Sequence, residues 1–246
     1  MKTIQSTFAL ILLLTLSIYA QEDAQAILAK ADAVINAPKD QHQFSRMILI
    51  DKDGDEKVRK SEMFQKGDEM RLVRFLSPAD QKGIGFLSLP DDVMYLYLPA
   101  FHKIRRIASH VKNENFAGTD FSYDDMSSFK YAEEYNAKRL ENKEDIFVLE
   151  LTPKHDVEKD YSKLIMEVRT DNSYPVKIDH YDKGGNLWKI LERKKIEKNG
   201  KYWLSMEMEM KDLKKNHSTK MITDKIELDS GLSDKVFSKR NLKKVK

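Results

Sequence analysis

The sequence predicts a mainly β protein, in which a dozen or so antiparallel strands form one large, strongly curved sheet with a helix lying on one face. Three observations predict it. Helical spacing of apolar residues occurs in one long stretch near the start of the chain. After it come short runs rich in β-branched and aromatic residues. Between those runs stand DKDGD, QKGD, DKGGN and EKNGK, turn sequences whose glycines can take a positive φ.

Residues 1–20, MKTIQSTFALILLLTLSIYA, carry one cation at Lys2, an apolar run from Phe8 to Leu16 and a small residue, Ala20, before the polar change at Gln21. That is the pattern of an export signal, and the apolar run is short for a membrane span. The expectation is a soluble protein exported to a bacterial periplasm. The chain has no cysteine, so neither disulfides nor a lipidated N-terminal cysteine are available to it. Loss of Lys2 with the signal takes 43 basic residues to 42, against 40 acidic ones. So balanced a charge argues against nucleic acid as a partner. No linker composition divides residues 21–246, which read as a single domain.

In QEDAQAILAKADAVINAPKD, Ala24, Ile27, Leu28, Ala31, Val34 and Ile35 recur at helical spacing and Pro38 follows the end, giving an amphipathic helix over 21–37. Strands are expected over 44–50, 57–65, 69–77, 85–89, 93–98, 103–111, 129–136, 146–152, 162–169, 175–181, 187–196, 202–211 and 218–228. A short inserted helix is expected at SYDDMSS (122–128), where Ser122 can cap the amide of Asp125 and the acidic residues sit at the positive helix end. The basic tail KRNLKKVK should fray.

Asp51, Asp53, Asp55 and Glu62 in DKDGDEKVRKSE fall at the spacing of an EF-hand loop. The position that needs glycine carries Glu56, however, and the flanks read as strands, so a charged hairpin turn is preferred to a calcium site. The six histidines (His42, His102, His110, His155, His180 and His217) are scattered and form no metal-binding pair. Neither a nucleophile elbow nor a phosphate or dinucleotide loop is present. The expectation is a non-enzyme without metal or cofactor.

The chemistry that stands out lies in GIGFLSLPDDVMYLYLPAFHKIRRI, residues 83–107. In VMYLYLP, period two puts Val93, Tyr95 and Tyr97 on one face and Met94, Leu96 and Leu98 on the other, so the strand is either covered on both sides or lines a hollow. Further aromatic residues (Phe75, Phe86, Phe101, Phe116, Phe121 and Tyr123) crowd the same part of the chain. Aromatic and methionine side chains adapt to irregular acyl chains, so a lipid ligand is inferred. The cations Lys103, Arg105, Arg106 and Lys112 alternate with Ile104, Ile107 and Val111. They read either as a solvated outer face or as a site for a lipid phosphate or an acidic partner.

The runs FLSPADQKGIGFLSL, MYLYLPAFHKIRRI and FAGTDFSYDDM, with YSKLIMEVRTDNSYPVKIDHYDKGGNLWKIL and KIELDSGLSDKVFSKRNL, resemble the LolA-like proteins, the outer-membrane lipoprotein-sorting group, in its branch of larger periplasmic members. The likeness spans almost the whole chain after residue 20. It implies an incomplete antiparallel β-barrel closed by the N-terminal helix and the short inserted helix, with an apolar interior that takes the acyl chains of a lipoprotein or another lipid. It also implies an inner-membrane transporter as donor and an outer-membrane acceptor. Leu72, Phe75, Leu87, Leu89, Met94, Leu96, Leu98, Phe116 and Phe121 are the candidate lipid-binding residues. Lys103, Arg105 and Arg106 are candidates for a headgroup or partner. The alternative is a non-catalytic accessory subunit that docks on an envelope transporter of the resistance-nodulation-division type through those cations.

Overall fold

The computed structural model describes residues 23–127, 130–140 and 143–244. The export signal read over 1–20 lies outside the described residues. Helix α1 (Ala24–Ile35) precedes a first block of strands, β1 (Asp40–Ile50), β2 (Glu56–Lys66), β3 (Met70–Ser77), β4 (Gly85–Leu89), β5 (Val93–Leu98) and β6 (Lys103–Arg106). A short helix, α2 (Tyr131–Glu134), leads into β7 (Tyr135–Arg139), β8 (Ile146–Pro153), β9 (Lys163–Arg169), β10 (Pro175–Tyr181), β11 (Leu187–Asn199), β12 (Tyr202–Asp212) and β13 (His217–Leu228). The chain closes with α3 (Lys239–Leu242).

All thirteen strands join one antiparallel sheet in the order β6-β5-β4-β3-β2-β1-β13-β12-β11-β10-β9-β8-β7. Every neighbour is a sequence neighbour except β1 and β13, whose pairing (Gln41 opposite Leu228 to Ile50 opposite Ser218) joins the two halves. β6 and β7 are the two edges, so the barrel is incomplete. Register shifts at Phe44/Ser45, Lys60/Ser61, Pro175/Lys177 and His180/Tyr181 mark bulges, which bend and twist a sheet.

The DKDGD stretch is the β1–β2 hairpin. Asp51 Oδ1 accepts from the amides of Asp53 and Asp55, both at 3.0 Å, and Gly54 takes φ 87°. The Asp51 carboxylate closes the turn between the strands through those two amides, as the hairpin reading requires.

Three expectations need correction. The strand expected over 103–111 ends at Arg106, because Ile107 turns into the core and residues 109–111 form a 3₁₀ turn. The strand expected over 129–136 is α2 followed by the start of β7, Phe129 lying outside the described residues. No helix forms over 122–127, and Ser128 is outside the described residues. Ser122 and Asp125 instead exchange bonds reciprocally, Asp125 N to Ser122 Oγ at 2.9 Å and Ser122 N to Asp125 Oδ2 at 2.8 Å, within a turn.

α1 lies over the sheet through Ile27, Leu28 and Ala31, all buried. Gln25 fastens it to the β7 edge: its amide donates to Ala132 O (3.0 Å) and Tyr135 O (3.2 Å) and accepts from Ala137 N (3.0 Å). The tail does not fray through Leu242. That residue is fully buried with Phe237 against Phe64, Leu72, Leu87 and Tyr97 on the opposite face of the sheet. A Cβ on Gly85 would stand 2.8 Å from Leu242 Cδ1, so the glycine lets the tail lie close.

Candidate functional site

Two halves of the sheet treat their inner face differently. Over β3, β4 and β5 it is covered by the chain between β6 and α2. Phe116, fully buried, lies 5.4 Å from the Phe75 ring, 5.8 Å from Phe86 and 5.8 Å from Tyr123. Over β1, β2 and β9 to β13 a hollow remains, of about 1320 Å³ counting its open mouth. Most of that is open solvent: the space within the hollow itself is about 130 Å³, below the ~300–1,000 Å³ usual for small-molecule sites.

Methionines dominate its apolar wall: Met63, Met126, Met208, Met210 and Met221, with Trp203, Leu204 and Ile226. Five flexible thioethers in one cavity make a surface that moulds to irregular apolar shapes. The other end is polar. Lys159 pairs with Asp124 (2.7 Å) and Glu134 (2.8 Å), tying the turn at 122–127 to α2. Burial pushes the Asp124 and Glu134 carboxyls up and Lys159 pulls them back. Burial would also raise Asp125, but the adjacent charge of Lys189 and the bonds from Ser122 hold it below the usual carboxylate range. His180, fully enclosed beside the Tyr161 ring at 4.7 Å, is driven down to about 4 by burial, so it is neutral at pH 7.

Of the nine candidate lipid-binding residues, Phe121 lines this hollow. Phe75, Met94 and Phe116 are packed in the aromatic half, where Leu96 is half-buried against them. Leu72 and Leu87, with half-buried Leu89, face the C-terminal tail on the other side of the sheet, and Leu98 is half-buried in neither cluster. The aromatic run is apolar on both faces because the molecule's own chain covers both. Lys103 and Arg105 extend from β6 beside Leu98 and Leu96, and Arg106 lies beside Tyr95. All three are exposed, and no described carboxylate pairs with them.

Sequence reasoning missed the methionine wall and two interior arginines, Arg71 and Arg193. The available signals were MEMEM at 206–210 and the phase of LWKILER, which puts Lys189, Leu191 and Arg193 on one buried face.

The α1 cover carries a titratable contact. Asp32 Oδ2 accepts from Ala132 N at 2.7 Å, and burial raises its pKa from 3.8 to about 6 despite that bond. A raised carboxyl pKa favours the protonated fold. The stabilisation is complete below pH 3.8 and is lost as pH rises through about 6. Asp32→Asn keeps the acceptor without the charge, so at pH 7 it should stabilise by up to about 2 kcal/mol, discounted for partial exposure, and at pH 3.5 by almost nothing. Urea unfolding at both pH values checks this; an equal effect at the two would contradict it.

A family model described as "Uncharacterized protein" matches residues 67–244. Among solved structures, one described as an outer membrane lipoprotein-sorting protein domain from Vibrio parahaemolyticus is 28% identical, with TM-score 0.80 over 90% of this chain and 100% of its own. A DUF1329 family protein from Desulfovibrio piger is 27% identical, with TM-score 0.83 over 89% of this chain and 97% of its own. A LolA superfamily protein from Nitrosomonas europaea shares the fold at 22% identity, with TM-score 0.75 over 89% and 98%. No curated protein matches.

Proposed function

The chain belongs to that family of uncharacterised proteins and is LolA-like, and from this premise we propose that it is a non-catalytic periplasmic carrier that holds the acyl chains of a lipoprotein or another lipid. Cargo enters the hollow between α1 and strands β1 and β10 to β13, having come from an inner-membrane transporter, and leaves for an outer-membrane acceptor. The observation that carries this reading is the methionine-lined cavity. Each methylene leaving water gains ~0.8 kcal/mol, so about ten of them supply on the order of 8 kcal/mol, enough for micromolar binding. Phe121 contacts the chain. The other eight candidates do not line the hollow: they pack in the aromatic half or against the C-terminal tail, Leu98 in neither cluster.

Native mass spectrometry of protein purified from its own cells should detect bound lipid, and a fluorescent fatty-acid probe should bind the emptied protein. Met208→Trp, which fills the hollow, should weaken the probe at least tenfold. An empty protein that also ignores the probe would overturn the reading.

A second reading has its own observation. Lys103, Arg105 and Arg106 stand exposed on the edge strand β6, beside Phe101 at 63% exposure. They fit an acidic surface on an envelope transporter of the resistance-nodulation-division type, with the protein as its accessory subunit. Reversing the three charges should abolish pull-down of that partner without changing lipid content; unchanged pull-down rejects the docking role.

A further inference from the structure

Among the described residues, the large hydrophobic side chains left exposed are Phe101, at 63%, and Val58 and Leu213, at 48% each. All three stand at one end of the sheet. Ile50 lies opposite Glu56 and Ser218, Asp212 opposite His217, Lys60 opposite Ser77, Gly85 opposite Tyr97 and Leu98 opposite Lys103, so the β1–β2, β12–β13 and β5–β6 turns share that end. Phe101 is the most exposed, and its turn is closed. Pro99 opens a 3₁₀ turn over Pro99–Phe101, His102 ends it at φ 49°, and His102 N donates to Pro99 O at 2.9 Å.

From this turn the chain continues into β6 as KIRR. Alternation along a strand sends Lys103 and Arg105 to one face and Arg106 to the other, so cations project from both sides of the sheet edge. All three are exposed, and no described carboxylate pairs with them. Helix α3 brings further positive charge: Lys239 Nζ sits 4.1 Å from the Tyr95 ring, whose cross-strand neighbour is Arg106, and the adjacent Arg240 is exposed. Asp53, Asp55 and Glu56, exposed on the β1–β2 hairpin, repel an anionic surface, which shifts any contact with one toward the β6 edge. A protein partner buries a contiguous apolar core, whereas Phe101, Val58 and Leu213 are separated from one another by several strands. A bilayer takes up separate side chains one at a time, aromatic rings above all at the level of the headgroups.

We propose that this end of the molecule docks on an anionic bilayer, with Phe101 in the headgroup region and Lys103, Arg105 and Arg106 on lipid phosphates. Guanidinium forks match phosphate oxygens, and a row of cations held at the surface adds attraction with each member. That attraction is screened by salt, while the share supplied by the ring is not. The inference goes beyond the carrier reading and concerns a surface outside the hollow, so either can fail without the other.

The test uses the protein without residues 1–20 and flotation with vesicles. Vesicles of phosphatidylethanolamine with phosphatidylglycerol should bind it at least tenfold more tightly at low salt than vesicles of phosphatidylcholine, and high salt should remove most of that preference. Phe101→Ser should weaken binding to the anionic vesicles at least threefold. Lys103→Gln, Arg105→Gln and Arg106→Gln together should erase the preference. The wild-type comparison stands even if a variant does not fold. The chain has no cysteine, so Phe101→Cys and Lys201→Cys each accept a single environment-sensitive label. The label at position 101 should brighten on anionic vesicles, and the label at 201, in the β11–β12 turn at the opposite end of the sheet, should not. Equal binding to both kinds of vesicle, binding to neither, or brightening at 201 alone would overturn the proposal. If the protein ignores vesicles while reversal of the three charges abolishes transporter pull-down, the surface serves an acidic protein and the proposal is likewise overturned. Lipid found inside the protein by native mass spectrometry would leave the carrier reading standing in either case.

Discussion

Phe116→Ala should lower the unfolding free energy by about 3–5 kcal/mol, the range for emptying a buried phenylalanine site. Phe116 is fully buried and touches the rings of Phe75, Phe86 and Tyr123. Two of those neighbours belong to the sheet, which cannot close around the vacancy, so the cavity term should be nearly complete. Each aromatic pair adds about 0.5–1.5 kcal/mol beyond area. Urea unfolding followed by far-UV circular dichroism measures the loss. A cost under about 1 kcal/mol would mean that the chain between β6 and α2 is not packed into its half of the barrel.

Glu62→Ala should be comparably damaging, at about 3–5 kcal/mol, through electrostatics rather than volume. Arg74 Nη1 lies 2.5 Å from Glu62 Oε1 and both side chains are 2% exposed. Arg74 Nη2 also donates to Asn241 O at 2.7 Å, so one guanidinium links β2, β3 and α3. Without the carboxylate a buried charge stands unpaired. The paired replacement Glu62→Leu with Arg74→Met removes both charges and should recover most of the loss. Limited proteolysis of the C-terminal tail should accelerate in the single variant. Equal stability of single and double variants would contradict this account of the pair.

Much of the fold was legible because its punctuation is local. Gly85, Asp92, Leu98, Pro175 and Tyr181 bound β4, β5 and β10 as expected, since glycine, proline and aspartate stop strands by backbone geometry alone. The α1 helix was legible from a single clean period. What covers each face of a strand was not. VMYLYL has the same alternation whether its inner face meets a ligand or Phe116 and Tyr123 of its own chain, and only long-range folding decides. The hollow's walls had a weaker signature because Met208 and Met210 alternate with Glu207 and Glu209, the pattern of an ordinary half-exposed strand. Arg71 and Arg193 did not stand out in the sequence, because burial of an arginine depends on partners distant in sequence, Met126 for the first and Pro175 for the second. The bond from the Asp125 amide to Ser122 was anticipated and its reciprocal was not, and one cap without following helical periodicity closes a turn rather than starting a helix.

The central claim is that an acyl chain lies against the methionine wall. Photo-cross-linking with a palmitate that carries a diazirine near the end of its chain, mapped by peptide mass spectrometry, tests it most directly. Labels should fall on residues 203–210, on Met63 and on Met221, and Met208→Trp should suppress them. Labels confined to residues 86–98, or scattered over the outer face of the sheet, would contradict it.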